Sequence, residues 1–277
     1  MQRKKDSTGI NEFRYNIAYM EHDTKTIAET DAWMGAHPED WYYVDRKAES
    51  AAASGRYKEA VNLFRQAYDI TKQEKLDGSA DEILLDQAQV EAWFGLDSMA
   101  RGTLARLSTD SAEGRDLVLV QMQLGDKAAA ARFLATHKDD SGTLMKYVSL
   151  PQVRAAAAAE QGKLQKAIAA LKLAQPYELE SYSVPTQLAE IYLRAKQADK
   201  AVEQYRKILA NPGIDPVCPQ FSLAYLGLGR AYTMQDNKSE NQREYEAFFS
   251  VWKDADPDLP VLQQAHREYA QLNTNAK

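Results

Sequence analysis

Three patterns in the sequence contain residue types that could do chemistry, and the first is acidic. Asp254, Asp256 and Asp258 alternate as the ligands of a calcium-binding loop do. Such a loop also needs a glycine at its sixth position and a bidentate acid at its twelfth, and these places hold Leu259 and Ala265. We therefore reject a calcium loop and expect Asp258 to cap the helix that follows it.

The second and third patterns involve glycine and cysteine. Gly227 and Gly229 could bring backbone amides close to a phosphate, but no third glycine and no preceding strand accompany them. They interrupt a helical apolar pattern and indicate close helix packing. Cys218 has no histidine near it in sequence, so we expect a small apolar filler and no nucleophile. The histidines form no zinc-ligand pair and are spread over the chain as His22, His37, His137 and His266.

Composition narrows the function further. The 277 residues include 34 basic and 40 acidic ones, for a net charge of -6. A surface that neutralises phosphates needs the opposite sign, so we expect no direct nucleic-acid contact. No run approaches the roughly 18 apolar residues of a membrane helix, and we expect no membrane insertion of this chain. We also expect no cofactor and no metal.

The elements that would position any site are helices. Thirteen glycines and nine prolines are few for this length, which disfavours a turn-rich β fold and predicts an all-α chain. A turn followed by an amphipathic helix, SGRYKEAVNLFRQA at 54–67, recurs from Gln161 and from Ala195. Small or polar residues mark the second helix of six units at a mean interval of about 36 residues. These markers are Ala60, Ala100, Ala130, Ala167, Ala201 and Asn241.

The sixth unit carries the plainest family pattern. Its two helices hold Tyr225, Leu228, Gly229 and Tyr232, then Tyr245 and Phe248. This unit resembles a tetratricopeptide repeat, which implies a right-handed superhelical solenoid of about six helix pairs. Because Asn241 and Phe248 replace small residues of the family pattern, we expect looser or shifted helix packing in this unit.

The repeat pattern also predicts where each unit begins and ends. We expect a disordered or expression-derived N-terminus at 1–12, an array over 13–257, a capping helix at 258–273 and a tail at 274–277. Within the array we expect a partial repeat at 13–37 and repeats near 38–75, 80–108, 111–138, 148–176, 183–211 and 217–252.

A more particular resemblance covers roughly residues 13–272. The segments 161–180, 226–249 and 248–272, with Glu39-Asp-Trp41, resemble the C-terminal tetratricopeptide region of acidobacterial-type proteins. In those, the region follows a serine/threonine kinase or a winged-helix transcriptional activator domain. The motifs of the kinase itself are absent from this sequence. The resemblance implies a bacterial docking or sensing module of a larger signalling protein, cytoplasmic in a soluble regulator and extracytoplasmic in a membrane-anchored kinase.

The concave groove lined by first helices is the usual ligand surface of such arrays. The family's groove positions fall here on Tyr42, Asp45, Glu49, Glu82, Gln89, Thr186, Glu190, Arg230 and Thr233. This lining is more acidic than basic and lacks the lysine-asparagine clamp that holds chaperone carboxylates. We therefore expect a different protein or peptide ligand.

Two other functions stay open. A structural, self-associating array would bind no specific ligand, and an unpaired repeat face near Tyr15 and Tyr19 would favour a homodimer through the N-terminal end. An α/α enzyme would need acids that converge in a pocket. The acids of this sequence are spread at helix-surface spacing, so we expect no catalysis.

Overall fold

A computed structural model describes residues 8–21, 23–37, 40–108 and 114–274. In these ranges the chain forms fifteen α-helices and no strand. Consecutive helices pack as antiparallel pairs, so the all-α helical-repeat fold expected from the sequence is confirmed. No helix in the described ranges combines the length and apolar character needed to span a membrane.

The helices form seven pairs and a final single helix. They are α1 (Thr8–Glu21), α2 (Thr24–Gly35), α3 (Trp41–Ala53), α4 (Tyr57–Gln73), α5 (Asp77–Trp93), α6 (Asp97–Leu104), α7 (Arg115–Gln123), α8 (Ala129–Thr136), α9 (Leu150–Glu160), α10 (Leu164–Leu171), α11 (Ser183–Arg194), α12 (Ala198–Ala210), α13 (Pro219–Met234), α14 (Lys238–Val251) and α15 (Pro260–Thr274). A π-helical turn, Met145–Ser149, leads into α9, and a 3-10 turn, Gln175–Tyr177, follows α10.

Several predicted elements lie partly outside the described residues. These are residues 1–7 of the N-terminus, His22, Glu39 and the end of the tail. Where the structure does describe the ends, it differs from the sequence expectation. Helix α1 begins at Thr8, inside the segment predicted to be disordered, and α1 with α2 makes a whole helix pair where a partial repeat was expected.

The turns inside the pairs share one geometry. After α3, Gly55 has a φ of +74°, a left-handed conformation that glycine adopts without strain. This geometry directs the amide of Arg56 to the carbonyl of Ala51 at 2.9 Å, which satisfies a free carbonyl at the helix end. Residues with positive φ also end α4, α5, α7, α9, α11 and α13, namely Lys75, Gly95, Gly125, Gly162, Lys196 and Asp236.

The repeat markers lie where the pairs pack most closely. All five marker alanines and Asn241 are buried between helices. In the sixth unit Asn241 donates to the carbonyl oxygen of Gly229 at 2.8 Å, and a Cβ on Gly229 would lie 2.7 Å from the Tyr245 ring. The looser packing expected of this unit is not seen at Asn241, because its polar side chain is buried and satisfies the carbonyl oxygen of Gly229. The predicted role of the glycines in close packing is confirmed.

The helix pairs form a closed ring. The helices α3, α5, α7, α9, α11 and α13, here called the inner helices, contact each other in that order, and α13 also contacts α3. Their partners α4, α6, α8, α10, α12 and α14 are the outer helices. The sequence predicted a superhelix whose last repeat is covered by a capping helix, and in the structure the sixth repeat also packs against the first.

Residues 53–58 and Phe94 meet residues 252–262 where the ring closes, and we call this contact the seam. Trp252 is buried there, and its Nε1 donates to the carbonyl oxygen of Ala53 at 3.0 Å and to Ser222 Oγ at 3.1 Å. The indole ring also packs edge-on to Phe94, with centroids 5.1 Å apart. The seam thus combines aromatic packing with satisfied polar groups.

Backbone hydrogen bonds continue the seam towards α15. The Asp256 amide donates to the carbonyl oxygen of Gly55 at 3.0 Å, and the Val261 amide donates to the carbonyl oxygen of Phe94 at 3.2 Å. The side chain of Asp258, expected to cap α15, instead accepts a hydrogen bond from Lys58 Nζ at 3.1 Å. The helix expected to cover the end of the array therefore also joins that end to the beginning.

The N-terminal helix pair packs on the first repeat. Tyr15 of α1 is buried against Tyr43 of α3, and its hydroxyl hydrogen-bonds Ser50 Oγ at 2.8 Å. The tyrosine expected on an unpaired dimerising face is therefore used inside the chain. The large apolar side chains that α1 exposes are Ile10, Phe13 and Ile17.

Candidate binding lumen

The inner helices surround a cavity of about 500 Å³ at the centre of the ring, which we call the lumen. Each of the six inner helices contributes at least one lining residue. The lining includes two arginines, Arg115 and Arg194. It also includes six carboxylates, which are Glu49, Asp86, Asp116, Glu160, Glu190 and Asp215. The lumen is therefore strongly acidic.

One basic side chain, Arg46 of α3, supports the acids on the α3 side. Its guanidinium forms an ion pair with Glu49 one turn along the same helix. The other terminal nitrogen reaches Asp215 Oδ1 at 2.7 Å, in the loop before α13. Arg46 therefore serves two carboxylates at once and fixes the loop to the first repeat.

Two further acids near Arg46 have no such support. Asp45 is only 5% exposed, and its Oδ1 has no hydrogen-bond partner. Burial and the neighbouring Glu49 carboxylate raise the pKa of Asp45 well above its usual value. Among the described residues, Asp86 of α5 makes no hydrogen bond or ion pair, and burial with the nearby Asp45 and Asp116 raises its pKa in the same way.

The pKa of Glu49 is also perturbed, although Glu49 is paired with Arg46. Burial raises the pKa of Glu49 to about 8, and the charges of Asp86 and Asp215 add to that effect, despite the opposing guanidinium of Arg46. Too few cations therefore face too many carboxylates on this side of the lumen. We refer to Asp45, Glu49 and Asp86 as the acidic cluster.

The opposite side of the lumen carries Glu190 of α11. Burial raises its pKa, while Arg230 and Arg194 act in the opposite direction. Both arginines have other partners. Arg230 Nε donates to Glu268 Oε2 at 2.9 Å, and Arg194 donates to the carbonyl oxygen of Ala159 at 2.6 Å.

An apolar wall and unpaired acceptors complete the lining. Trp93 faces both the lumen and an adjoining cavity of about 120 Å³, and Leu119 and Ile191 extend the apolar surface. Thr186 Oγ1 and Gln187 Oε1 are buried in the lining without a hydrogen-bond partner. The Nε of Arg46 is the one buried side-chain nitrogen without a partner among the described residues.

The structure brings most of the predicted groove residues to this region. Four of them, Glu49, Gln89, Thr186 and Glu190, line the lumen, and Arg230 lines the adjoining cavity. Asp45 and Glu82 are part of the same electrostatic neighbourhood, since both raise pKa values within the acidic cluster.

Two predicted residues lie elsewhere. Tyr42 is 39% exposed and does not line either cavity. Thr233 donates to the carbonyl oxygen of Gly229 at 2.9 Å and contacts Asn241, so it belongs to the packing between α13 and α14.

The sequence analysis missed several lining residues. Asp86 lies four residues after Glu82 and three before Gln89, so helical spacing placed it on the face already predicted. Arg115 and Asp116 begin α7, in the unit whose family pattern is weakest. Asp215 comes from a loop and reaches the lumen through Arg46, which no local pattern indicates.

Of the other chemically reactive side chains, Cys218 lines the lumen, and two histidines stack on aromatic rings. Cys218 is buried, and burial raises the pKa of its thiol well above the usual value. His37 stacks on Trp33 with centroids 4.1 Å apart, and His266 stacks on Phe249 with centroids 4.4 Å apart. Within the described part of the chain, no group of three or more acids, histidines or cysteines is arranged to hold a metal ion.

Comparisons with known proteins show a similarity to solved structures. No protein-family model matches the sequence, and no curated protein matches it. Among solved structures, the chain is similar to the crystal structure of the tetratricopeptide-repeat domain of P58(IPK), with 11% sequence identity and a TM-score of 0.34. The match covers 97% of this chain and 88% of that one. The resemblance to kinase-associated or activator-associated repeats stays a prediction.

Proposed function

We propose that this chain is a non-catalytic binding module that receives a segment of a protein or peptide in its lumen. The observation that carries the proposal is the lining itself. All six inner helices expose polar side chains to one cavity, and two buried oxygens there, Thr186 Oγ1 and Gln187 Oε1, have no partner in the protein. Buried polar groups are costly unless paired, so a lining of this kind is suited to binding and not to stability.

The size and construction of the lumen support the same function. Its volume of about 500 Å³ is within the roughly 300–1,000 Å³ of typical ligand sites. Rigid helix pairs form its walls, so a bound segment would not have to order them. A bound segment would gain affinity from burial against Trp93 and selectivity from the charged groups around it.

The finer role rests on the sequence resemblance. As the regulatory part of a larger signalling protein, the ring would report the presence of its ligand to a domain elsewhere in that protein. A structural, self-associating array is the alternative. The seam weighs against it, because the first and sixth repeats contact each other and are not available for head-to-tail assembly.

One observation favours an enzyme as a second candidate. The sequence predicted acids spread over helix surfaces, whereas the structure brings Glu49 and Asp86 to one cavity, and carboxyl groups with raised pKa values are common in active sites. Against catalysis, Arg46 holds Glu49 in an ion pair. Hydrolysis of a glycoside or peptide library that Glu49→Gln and Asp86→Asn both abolish would establish the enzyme and overturn our proposal.

A peptide array tests the binding function directly. Gln89 lines the lumen, and Gln89→Trp would fill part of it without changing charge. Gln66 is exposed on the outer helix α4, so Gln66→Trp adds the same bulk outside. We expect some peptides of a random dodecapeptide array to bind the wild type and Gln66→Trp but not Gln89→Trp. Circular dichroism should show the same helicity in all three proteins. Equal capture by all three proteins would contradict binding in the lumen, and no capture by any would favour the structural array.

A further inference from the structure

The lumen carries more negative charge than its own cations neutralise. Arg115 is engaged by Asp116 at 2.9 Å and by Glu180 at 3.3 Å, and Arg194 lies 3.8 Å from Glu160. These pairs account for both arginines of the lining. Arg46 is shared between Glu49 and Asp215. Among the described residues, Asp45, Asp86 and Glu190 therefore remain without an ion-pair partner.

A second observation, independent of the charge count, concerns hydrogen bonding. Thr186 Oγ1, in the α11 wall of the lumen, is buried without a hydrogen-bond partner. Gln187 Oε1, on the α11 side, is a further buried acceptor without a donor. A ligand that complements these atoms must supply hydrogen-bond donors and positive charge.

The apolar wall limits the shape of that ligand. Trp93 and Leu119 line the lumen beside the acids, so a ligand needs a hydrocarbon portion as well as a charged end. Lysine and arginine side chains combine an aliphatic stem with a cationic head, and an arginine head also stacks well on tryptophan. Nucleic acids and acidic peptides have the wrong charge, and no metal-binding group is present among the described residues.

We propose that the lumen recognises a lysine or arginine side chain of the bound polypeptide, with its cationic head beside Asp86 and Glu49 and its stem against Trp93. This inference rests on the proposed function and names the chemistry of its ligand. The ring thus selects basic segments by charge complementarity in a concave site, where ionic interactions are stronger than on a flat surface.

Binding of a basic segment is expected to depend on pH. Glu49 is surrounded by Asp45 and Arg46 on its own helix, by Asp86 on α5, and by charged or titratable groups near the start of α13. The latter are Asp215 and Cys218. Below about pH 8 the Glu49 carboxyl is increasingly protonated, so affinity for a cation should rise between pH 6 and pH 9.

The direct test uses fluorescence anisotropy with a labelled peptide, Gly-Arg-Gly-Arg-Gly, and the same peptide with neutral citrulline in place of arginine. We expect the arginine peptide to bind at least about ten-fold more tightly, because removing one partner of a buried charge pair usually costs this much or more. This comparison needs no variant protein. Equal affinities, or no binding of either peptide, would overturn the inference.

Two variants locate the interaction. Asp86→Asn removes a charge from the acidic cluster and should weaken the arginine peptide at least about ten-fold. Asp139→Asn removes the same charge from a side chain that is 88% exposed outside the lumen, and should change affinity less than about two-fold. Equal losses in both variants would assign the effect to overall charge and refute the site.

Spermidine that binds with the same Asp86 dependence, while the arginine peptide does not bind, would assign the lumen to a free polyamine.

The peptide array separates this inference from the function on which it rests. Peptides that depend on the lumen should be enriched in lysine and arginine and depleted in acids. Lumen-dependent peptides without that enrichment would overturn cation recognition and leave peptide binding intact. Capture that Gln89→Trp does not affect would overturn both.

Discussion

The seam and the lumen lie in the same ring but differ in how their buried polar groups are paired. At the seam, Trp252 fills a buried aromatic contact, and its Nε1 has two acceptors within 3.1 Å. In the lumen, Asp45 and Asp86 are held close to other carboxylates without a cation of their own. At the seam, aromatic packing and hydrogen bonding both favour the closed ring. The lumen departs from that consistency, which is typical of functional sites.

The largest effect on stability is expected when Trp252, at the centre of the seam, is removed. Trp252→Ala should lower the free energy of unfolding by roughly 3–5 kcal/mol, because it leaves a cavity between residues about 200 apart in sequence. Urea denaturation followed by circular dichroism measures the loss, and small-angle scattering would show whether the ring opens. Trp252→Phe keeps most of the packing and should cost less. A loss under about 1 kcal/mol in Trp252→Ala would mean that the seam does not hold the ring closed.

Two glycines test how tightly the seam is packed. Gly55 and Gly162 have nearly the same φ, +74° and +72°, so alanine at either position incurs the same backbone strain of about 1–2 kcal/mol. A Cβ at Gly55 would also lie 2.7 Å from the Trp252 ring, whereas a Cβ at Gly162 would have nothing within 4 Å. Gly55→Ala should therefore be less stable than Gly162→Ala by about 1–2 kcal/mol in urea denaturation. Equal losses would show that the seam relaxes around an added methyl group.

The third prediction concerns the lumen and its pH dependence. The folded pKa of Glu49, about 8, lies above its ordinary value of 4.5, so the folded state binds more protons than the unfolded state between these values. Stability of the ligand-free protein should therefore fall as pH rises from about 4.5 to about 8, by at most about 1.4 kcal/mol per pH unit for one proton.

Glu49→Gln should reduce this slope because the amide does not titrate. Urea denaturation at pH 5, 6.5 and 8 measures it, and Asp139→Asn is the matched control, because that side chain is exposed outside the lumen. An unchanged slope in Glu49→Gln would show that Glu49 is ionised throughout this range. The acidic cluster would then be a satisfied network like the seam, and the contrast between the two regions would disappear.

Much of the architecture was predictable because it depends on neighbours along the chain. The apolar spacing that marks α4, α10 and α12 comes from residues three and four apart, which share a helix face whatever the rest of the molecule does. The buried marker residues, from Ala60 to Asn241, followed from the same pattern, since a small residue is needed where two helices cross closely. The turn at Gly55 followed from its place between two such helices.

The candidate site was predictable in part. Glu49, Gln89 and Glu190 face the lumen because they lie on the inner side of their own helices, a property of local spacing. Thr233 did not follow the pattern because its partner helix carries the polar Asn241. Asp215 could not be found from the sequence, because it comes from an irregular loop placed by Arg46, about 170 residues away.

The sequence by itself determined the helices, their pairing and the acidic character of their inner faces, since these depend on short-range spacing and composition. Only the tertiary structure decided that the array closes, because closure depends on small angles between successive pairs that accumulate around the ring. Closure then decided the chemistry of the site. It brings Glu49 of α3 and Glu190 of α11 to one cavity, where partial burial and the neighbouring carboxylates raise the pKa of Glu49.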